Sequence, residues 1–196
     1  MRKKRNPIKL TIYLIIGTLV FWTMLTLWAQ YSGYQESETI GDVASKKKAL
    51  IVYNPDPIYD LDKQICRSFA IGLSSCDYKS TIITAQYKLE DKDNYDLYVF
   101  CANTYNWAPD WLVVNFIENY DNLINKNVVA ITIGSGSTIQ AQKKLENIIK
   151  SKSANLVDSK SFWLMRPNDD ERTEENNIDV ANDLALKFGV TIGKRL

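Results

Sequence analysis

Asn103, Thr104, Tyr105, Asn106 and Trp107 stand together just past an apolar run over 96–101, and a helical pattern opens shortly after Pro109. Two aromatic rings can stack on a flat ligand, and three neutral polar side chains can hydrogen-bond its edges. In an α/β sheet the loop at the carboxyl end of a strand is where ligands bind. The alternative is that Tyr105 and Trp107 only cover the sheet end and pack on Trp111. A second loop of interest carries Gly134, Ser135, Gly136, Ser137 and Thr138. It either cradles an anion or is a plain strand-to-helix turn with Ser137 or Thr138 as the cap. A lone Gly-x-Gly is weakly specific, and the Gly-x-Gly-x-x-Gly fingerprint is absent.

Other chemistry is narrowed by what the chain lacks. It has no histidine, so the commonest general base and transition-metal ligand are missing. The three cysteines, Cys66, Cys76 and Cys101, form no Cys-x-x-Cys pair, which disfavours a zinc site or dithiol centre. Cys66 and Cys76 either pair in an oxidising compartment or stay as separate thiols. Cys101 at a strand end has no histidine to activate it and reads as structural. Asp56, Asp60 and Asp62 resemble an acidic cation cluster. A phospho-acceptor site of that kind needs an Asp at the end of the third strand, where Cys101, Ala102 and Asn103 stand.

These candidates sit in a chain with a marked N-terminal segment. Residues 10–29 carry no charge; 15 of the 20 are apolar and the rest are Gly17 and four threonines. As a helix this run is about 30 Å long, enough to cross a bilayer core. It follows Arg2, Lys3, Lys4, Arg5 and Lys9, and the next basic residue is Lys46. Cleavage after Ala29 would leave Leu27 at the −3 position, a poor signal-peptidase site, so the run reads as an uncleaved anchor. The positive-inside rule places the N-terminus in the cytosol and the rest outside the cell membrane. Of 24 basic residues five fall in the first nine; the remaining 19 face 23 acidic ones, a net −4. A mildly acidic body argues against nucleic-acid binding.

Beyond a polar linker, strand and helix signals alternate. Short apolar runs at 49–53, 81–84, 96–101 and 127–133 read as buried parallel strands, and 155–157 with 162–164 as an interrupted fifth. Helical spacing appears at 60–75 with Asp60 as N-cap. It recurs at 111–120 with Leu112, Phe116 and Val113 as the inward candidates, after Thr138 with Leu145, Ile148 and Ile149, and at 173–188 with a partial capping box at Thr173. The stretch between Ile83 and Asp96 reads as a loop. This is the pattern of an α/β fold, a doubly wound five-stranded parallel sheet covered on both faces.

In the order and spacing of these runs, residues 48–196 resemble the flavodoxin family. The matching points are the first strand at 50–53, the strand at 95–100 with Thr104, Tyr105 and Asn106 after it, the strand at 125–130 with its Gly134-Ser135-Gly136 loop, and the closing amphipathic helix. The resemblance implies FMN as cofactor, electron transfer as function and a redox protein as partner. It places Thr104, Tyr105, Asn106 and Trp107 on one side of the isoalloxazine, with the loop of Gly134, Ser135, Gly136, Ser137 and Thr138 supplying backbone donors to its polar edge. The family's first loop, rich in Ser, Thr and Gly, receives the phosphate on a helix N-terminus. Here that loop holds Pro55 and Pro57, which lack an N–H, and three aspartates, but no Ser or Thr. FMN is made in the cytosol, so a domain outside needs another supply. Both points keep an alternative open, a cofactor-free binding or scaffolding module tethered to the membrane. The expected organisation is a basic N-terminus at 1–9, a transmembrane helix at 10–30, a linker at 31–47 and a flavodoxin-like domain at 48–196.

Overall fold

A computed structural model of the chain describes residues 7–31, 35–89 and 94–196. Arg2, Lys3, Lys4 and Arg5 lie outside the described residues, as do 90–93 of the expected loop before Asp96. The elements run α1 (Pro7–Gln30), β1 (Ser37–Ile40), β2 (Lys47–Tyr53), α2 (Leu61–Ser74), β3 (Tyr78–Thr84) and β4 (Leu97–Tyr105). They continue with β5 (Ala108–Pro109), α3 (Trp111–Asn119), β6 (Asn127–Gly134), α4 (Ile139–Ser151), β7 (Asn155–Trp163) and α5 (Asn177–Arg195).

Six strands lie in the order β1-β3-β2-β4-β6-β7, and the two-residue β5 pairs with β4. The sheet therefore has more strands than the five expected. The added edge strand, β1, runs antiparallel to β3 with Ser37 opposite Ile83. It arises from the stretch expected to be linker. The fifth parallel strand, β7, is continuous rather than interrupted, pairing with β6 from Asn127–Asn155 to Gly134–Trp163 across one register shift.

Alternation explains the two cores. Along β2, Leu50 and Val52 face one side and Ile51 and Tyr53 the other, and all are buried. The Ile51 side meets Ile65, Phe69 and Leu73 of α2 and Ala181, Ala185 and Ile192 of α5. The Leu50 side meets Val113 and Ile117 of α3 and Leu145 and Ile149 of α4. Helices α2 and α5 touch backbone to backbone: a Cβ on Gly72 would lie 2.1 Å from the Leu186 carbonyl oxygen, and one on Gly189 2.2 Å from that of Phe69.

Helix starts differ from expectation in ways the hydrogen bonds explain. Asp110 caps α3 by accepting from Val113 N–H at 3.0 Å, which turns Val113 and Ile117 inward and leaves Leu112 and Phe116 half-buried. Asn176, not Thr173, caps α5 through the N–H groups of Ile178 and Asp179. Asp60 precedes α2 but makes no side-chain cap bond. Thr138 precedes α4, and its hydroxyl instead accepts from Trp163 Nε1 at 3.0 Å. All three cysteines are free thiols, so Cys66 and Cys76 do not pair.

Candidate functional site

Counted alone, the five parallel strands have the order 2-1-3-4-5, with the direction of winding reversing between β2 and β4. A crevice forms at the carboxyl end of such a sheet at this reversal. Three loops meet there: 54–60 after β2, 103–109 at the end of β4, and 134–138 after β6.

The end of β4 is locked to the start of α3. Asn103 N–H donates to Asp110 Oδ2 at 3.0 Å, and Asp110 N–H returns to the Asn103 carbonyl at 2.9 Å. The Asn103 amide, buried, donates to both the Asn54 carbonyl and Asp62 Oδ2 at 2.9 Å. Asn103 thus fastens the β4 end to the first loop, and its hydrogen bonds are internal.

The first loop closes on its own carboxylates. Asp56 Oδ1 accepts from the N–H groups of Ile58 at 2.8 Å and Tyr59 at 2.9 Å, and Asp56 Oδ2 accepts from the Tyr105 hydroxyl at 2.6 Å. Asp62 Oδ2 accepts from Asp56 N–H at 2.7 Å. Asp62, Asp110 and Asn54 are all 1% exposed or less. Burial pushes the Asp62 carboxyl up to about 6, against the pull of the Asn103 amide and backbone N–H groups. Burial likewise raises Asp110 to about 7. The Tyr105 phenol is raised by burial and by its bond to Asp56, and so remains a donor. Burial, and then the neighbouring Cys66, pushes the Cys101 thiol up, which makes it a poor nucleophile.

Between these loops lies a cavity of about 300 Å³, with Asp56, Tyr59 and Tyr105 on one side and Gly134, Ser135 and Met165 on the other. Its size is at the small end of ligand sites. Thr104 and Asn103 also border it, and Ala29 of α1 reaches its rim. Gly134 is required here: a Cβ would come within 2.9 Å of Thr138 Cγ2 and 3.2 Å of Thr104 Cβ. Among the described residues Thr104 Oγ1 and Asn54 Oδ1 are buried with no hydrogen-bond partner. The Gly134 carbonyl accepts from Leu164 N–H and the Ser135 carbonyl from Met165 N–H, both at 3.0 Å.

Of the eight residues singled out in the sequence, Asn103, Thr104, Tyr105, Gly134 and Ser135 line this cavity. Gly136 does not, and a Cβ there would meet nothing within 4 Å. Asn106 and Trp107 also lie off the cavity. They are the two central residues of the β4–β5 hairpin, with φ of +50° and +59°. The Asn106 side chain turns to α1, where Oδ1 accepts from Trp22 Nε1 and Nδ2 donates to Thr26 Oγ1, each at 3.3 Å.

Sequence reasoning passed over Asp110 and Gln30. An Asp directly before the apolar run at 111–117 is a legible N-cap signal. Gln30 closes the apolar helix and is 4% exposed. Its Oε1 accepts from Trp111 N–H at 2.9 Å, and its carbonyl accepts from Asn54 Nδ2 at 3.4 Å.

The architecture has close counterparts among solved structures. A flavodoxin from the domain Archaea aligns over 76% of this chain and 97% of its own, with 14% identity and a TM-score of 0.54. A flavodoxin, WrbA-like protein from Agrobacterium tumefaciens aligns over the same shares with 12% identity and a TM-score of 0.58. The flavodiiron protein from Giardia intestinalis gives 16% identity and a TM-score of 0.58 over 76% of this chain but 36% of its own. No family model matches the chain, and no curated protein matches it. The domain has the flavodoxin-like fold, a mostly parallel α/β sheet, preceded by a helix long and apolar enough to cross a membrane.

A phosphate dianion does not fit the first loop. The N–H groups of Ile58 and Tyr59 already serve Asp56, that of Asp56 serves Asp62, and Pro55 and Pro57 have none to offer. Asp56 brings negative charge to the place where the anion would sit.

Proposed function

We propose that this chain is a membrane-anchored flavodoxin-like domain that binds a flavin through its ring, without a phosphate site, and serves in electron transfer with a redox protein partner. The cavity beside Thr104, Tyr105, Gly134 and Ser135 supports the ring site, because it lies at the carboxyl end of the parallel strands where the winding reverses, between the ends of β2, β4 and β6. The solved relatives with this fold include an NADH:FMN oxidoreductase and a two-electron reduced flavodoxin from Megasphaera elsdenii. A flavin would supply the redox chemistry; this chain's residues would seat the ring, exclude water and set its hydrogen bonds. FMN itself is disfavoured against a phosphate-free flavin such as riboflavin by Asp56. Under this reading α1 spans the cell membrane, with the N-terminus cytosolic and the domain outside. The visible spectrum of the full-length chain in detergent, alone and with each flavin, tests the cofactor. Protease treatment of intact cells tests the orientation, and a protected domain would overturn it.

A second reading is supported by the same Asp56 contacts. With its anion loop filled by its own carboxylate, the domain would serve as a cofactor-free binding or scaffolding module held at the membrane. Flavin bands that fail to appear with either FMN or riboflavin would favour it.

A further inference from the structure

The β4–β5 hairpin carries a residue at odds with its backbone. A two-residue hairpin with both central φ values positive favours Asn-Gly. Asn106 fits the first position, but the second, where glycine is expected, holds Trp107 at φ +59°. A bulky side chain in that region is strained. Trp107 nevertheless makes little of the fold, with 61% of its surface exposed.

Its position along α1 suggests what it meets. The uncharged stretch of α1 begins after Lys9 and ends at Ala29. With about 1.5 Å of rise per residue, a bilayer core of about 30 Å starting at Lys9 ends near Ala29. Trp22 and Thr26, the two partners of Asn106, then lie roughly 5–10 Å inside the outer boundary. A hairpin tip bonded to them shares that depth.

The hairpin is suited to such a place. From Leu97 to Ile117 the single charged residue is Asp110, and it is fully buried. Both polar ends of the Asn106 amide are bonded to α1, and the Thr26 hydroxyl donates to the Trp22 carbonyl at 2.9 Å. Polar groups at membrane depth need this kind of internal satisfaction. Trp111, 47% exposed, extends the apolar edge. Trp is favoured at the bilayer interface.

We propose that the β4–β5 hairpin tip, Asn106 and Trp107, is seated in the outer leaflet beside α1, so that the sheet-end cavity opens at the headgroup layer. The occupant of this apolar tip is the phospholipid leaflet that α1 itself crosses. The inference rests on α1 spanning the bilayer, and the experiment separates the two. The full-length chain is placed in nanodiscs of phosphatidylcholine with brominated acyl chains, and the fraction of tryptophan emission quenched is compared with unbrominated lipid. Trp22→Phe removes a quenched ring if α1 spans, so fractional quenching falls. Trp107→Gly and Trp107→Phe each remove a second quenched ring, and fractional quenching falls again. A rise with both Trp107 variants alongside a fall with Trp22→Phe overturns the hairpin insertion and leaves the span intact. A rise with Trp22→Phe overturns the span and the insertion together.

Discussion

Asp62 accepts the backbone N–H of Asp56 at 2.7 Å, and this contact holds the first loop in a closed form. The Asp56 carboxylate is thereby directed onto the N–H groups of Ile58 and Tyr59. The loop is completed by the chain's own side chain.

Asp56→Ser removes that internal anion and frees both N–H groups. We expect FMN affinity to rise at least about tenfold, about 1.4 kcal/mol, with riboflavin affinity little changed. Isothermal titration of both flavins measures it. Equal gains for the two ligands would mean that Asp56 acts on the ring and not on the phosphate.

Stability should fall as pH rises. Burial raises Asp62 to about 6 and Asp110 to about 7 from an ordinary 3.8. Unfolded carboxyls ionise near pH 4 while these two resist, so the folded state is favoured fully below that pH. The advantage is lost as pH rises through the folded values. Asp183, lowered by Lys187 and Arg172, and Glu175, lowered by Arg172, act oppositely but lie at the surface, where solvent screens them. We expect the melting temperature to decrease from pH 4 to pH 8, and Asp110→Asn to flatten that slope. A melting temperature that climbs over this range would contradict the burial account.

The α2–α5 contact admits no side chain at its crossing. Gly72→Ala should cost about 3 kcal/mol, since backbone atoms of α5 must move to accommodate the methyl group. Gly136→Ala, with open space around it, should stay within about 0.5 kcal/mol. Denaturant melts of the two variants compare them directly, and equal costs would refute the close packing.

Trp107→Gly should leave the fold in detergent unchanged or more stable by about 1 kcal/mol, because glycine accepts the positive φ freely. Thermal unfolding reports it. A clear loss of stability would show that Trp107 packs in the fold and is not held under strain for another purpose.

The parts legible in the sequence were those where burial on both faces leaves an apolar run. The four uninterrupted parallel strands are of this kind, from Leu50 through Ile133. Strand β1 was hidden because Ser37, Glu38, Thr39 and Ile40 lie on an edge, alternately exposed and half-buried. Strand β7 reads as broken because Asp158, Ser159 and Lys160 are tolerated at the other edge, where they are half-buried. At the site, residue types pointed to the right loops but not to their hydrogen bonds. The prolines and aspartates at 55–62 signalled a poor phosphate loop. That Asp56 bends back while Asp62 is buried depends on Asn103 and Tyr105, some 40–50 residues away. Gln30 looked like the end of a span, and its burial follows from Asn54 and Trp111, which no local pattern links to it.

The central claim is a ring site without a phosphate site, and one titration addresses it most directly. The full-length chain in detergent is titrated with riboflavin and with FMN, following quenching of flavin fluorescence. The account predicts saturable riboflavin binding with a Kd on the order of 1 μM and FMN at least about tenfold weaker. FMN binding more tightly than riboflavin, or neither flavin binding, would contradict it.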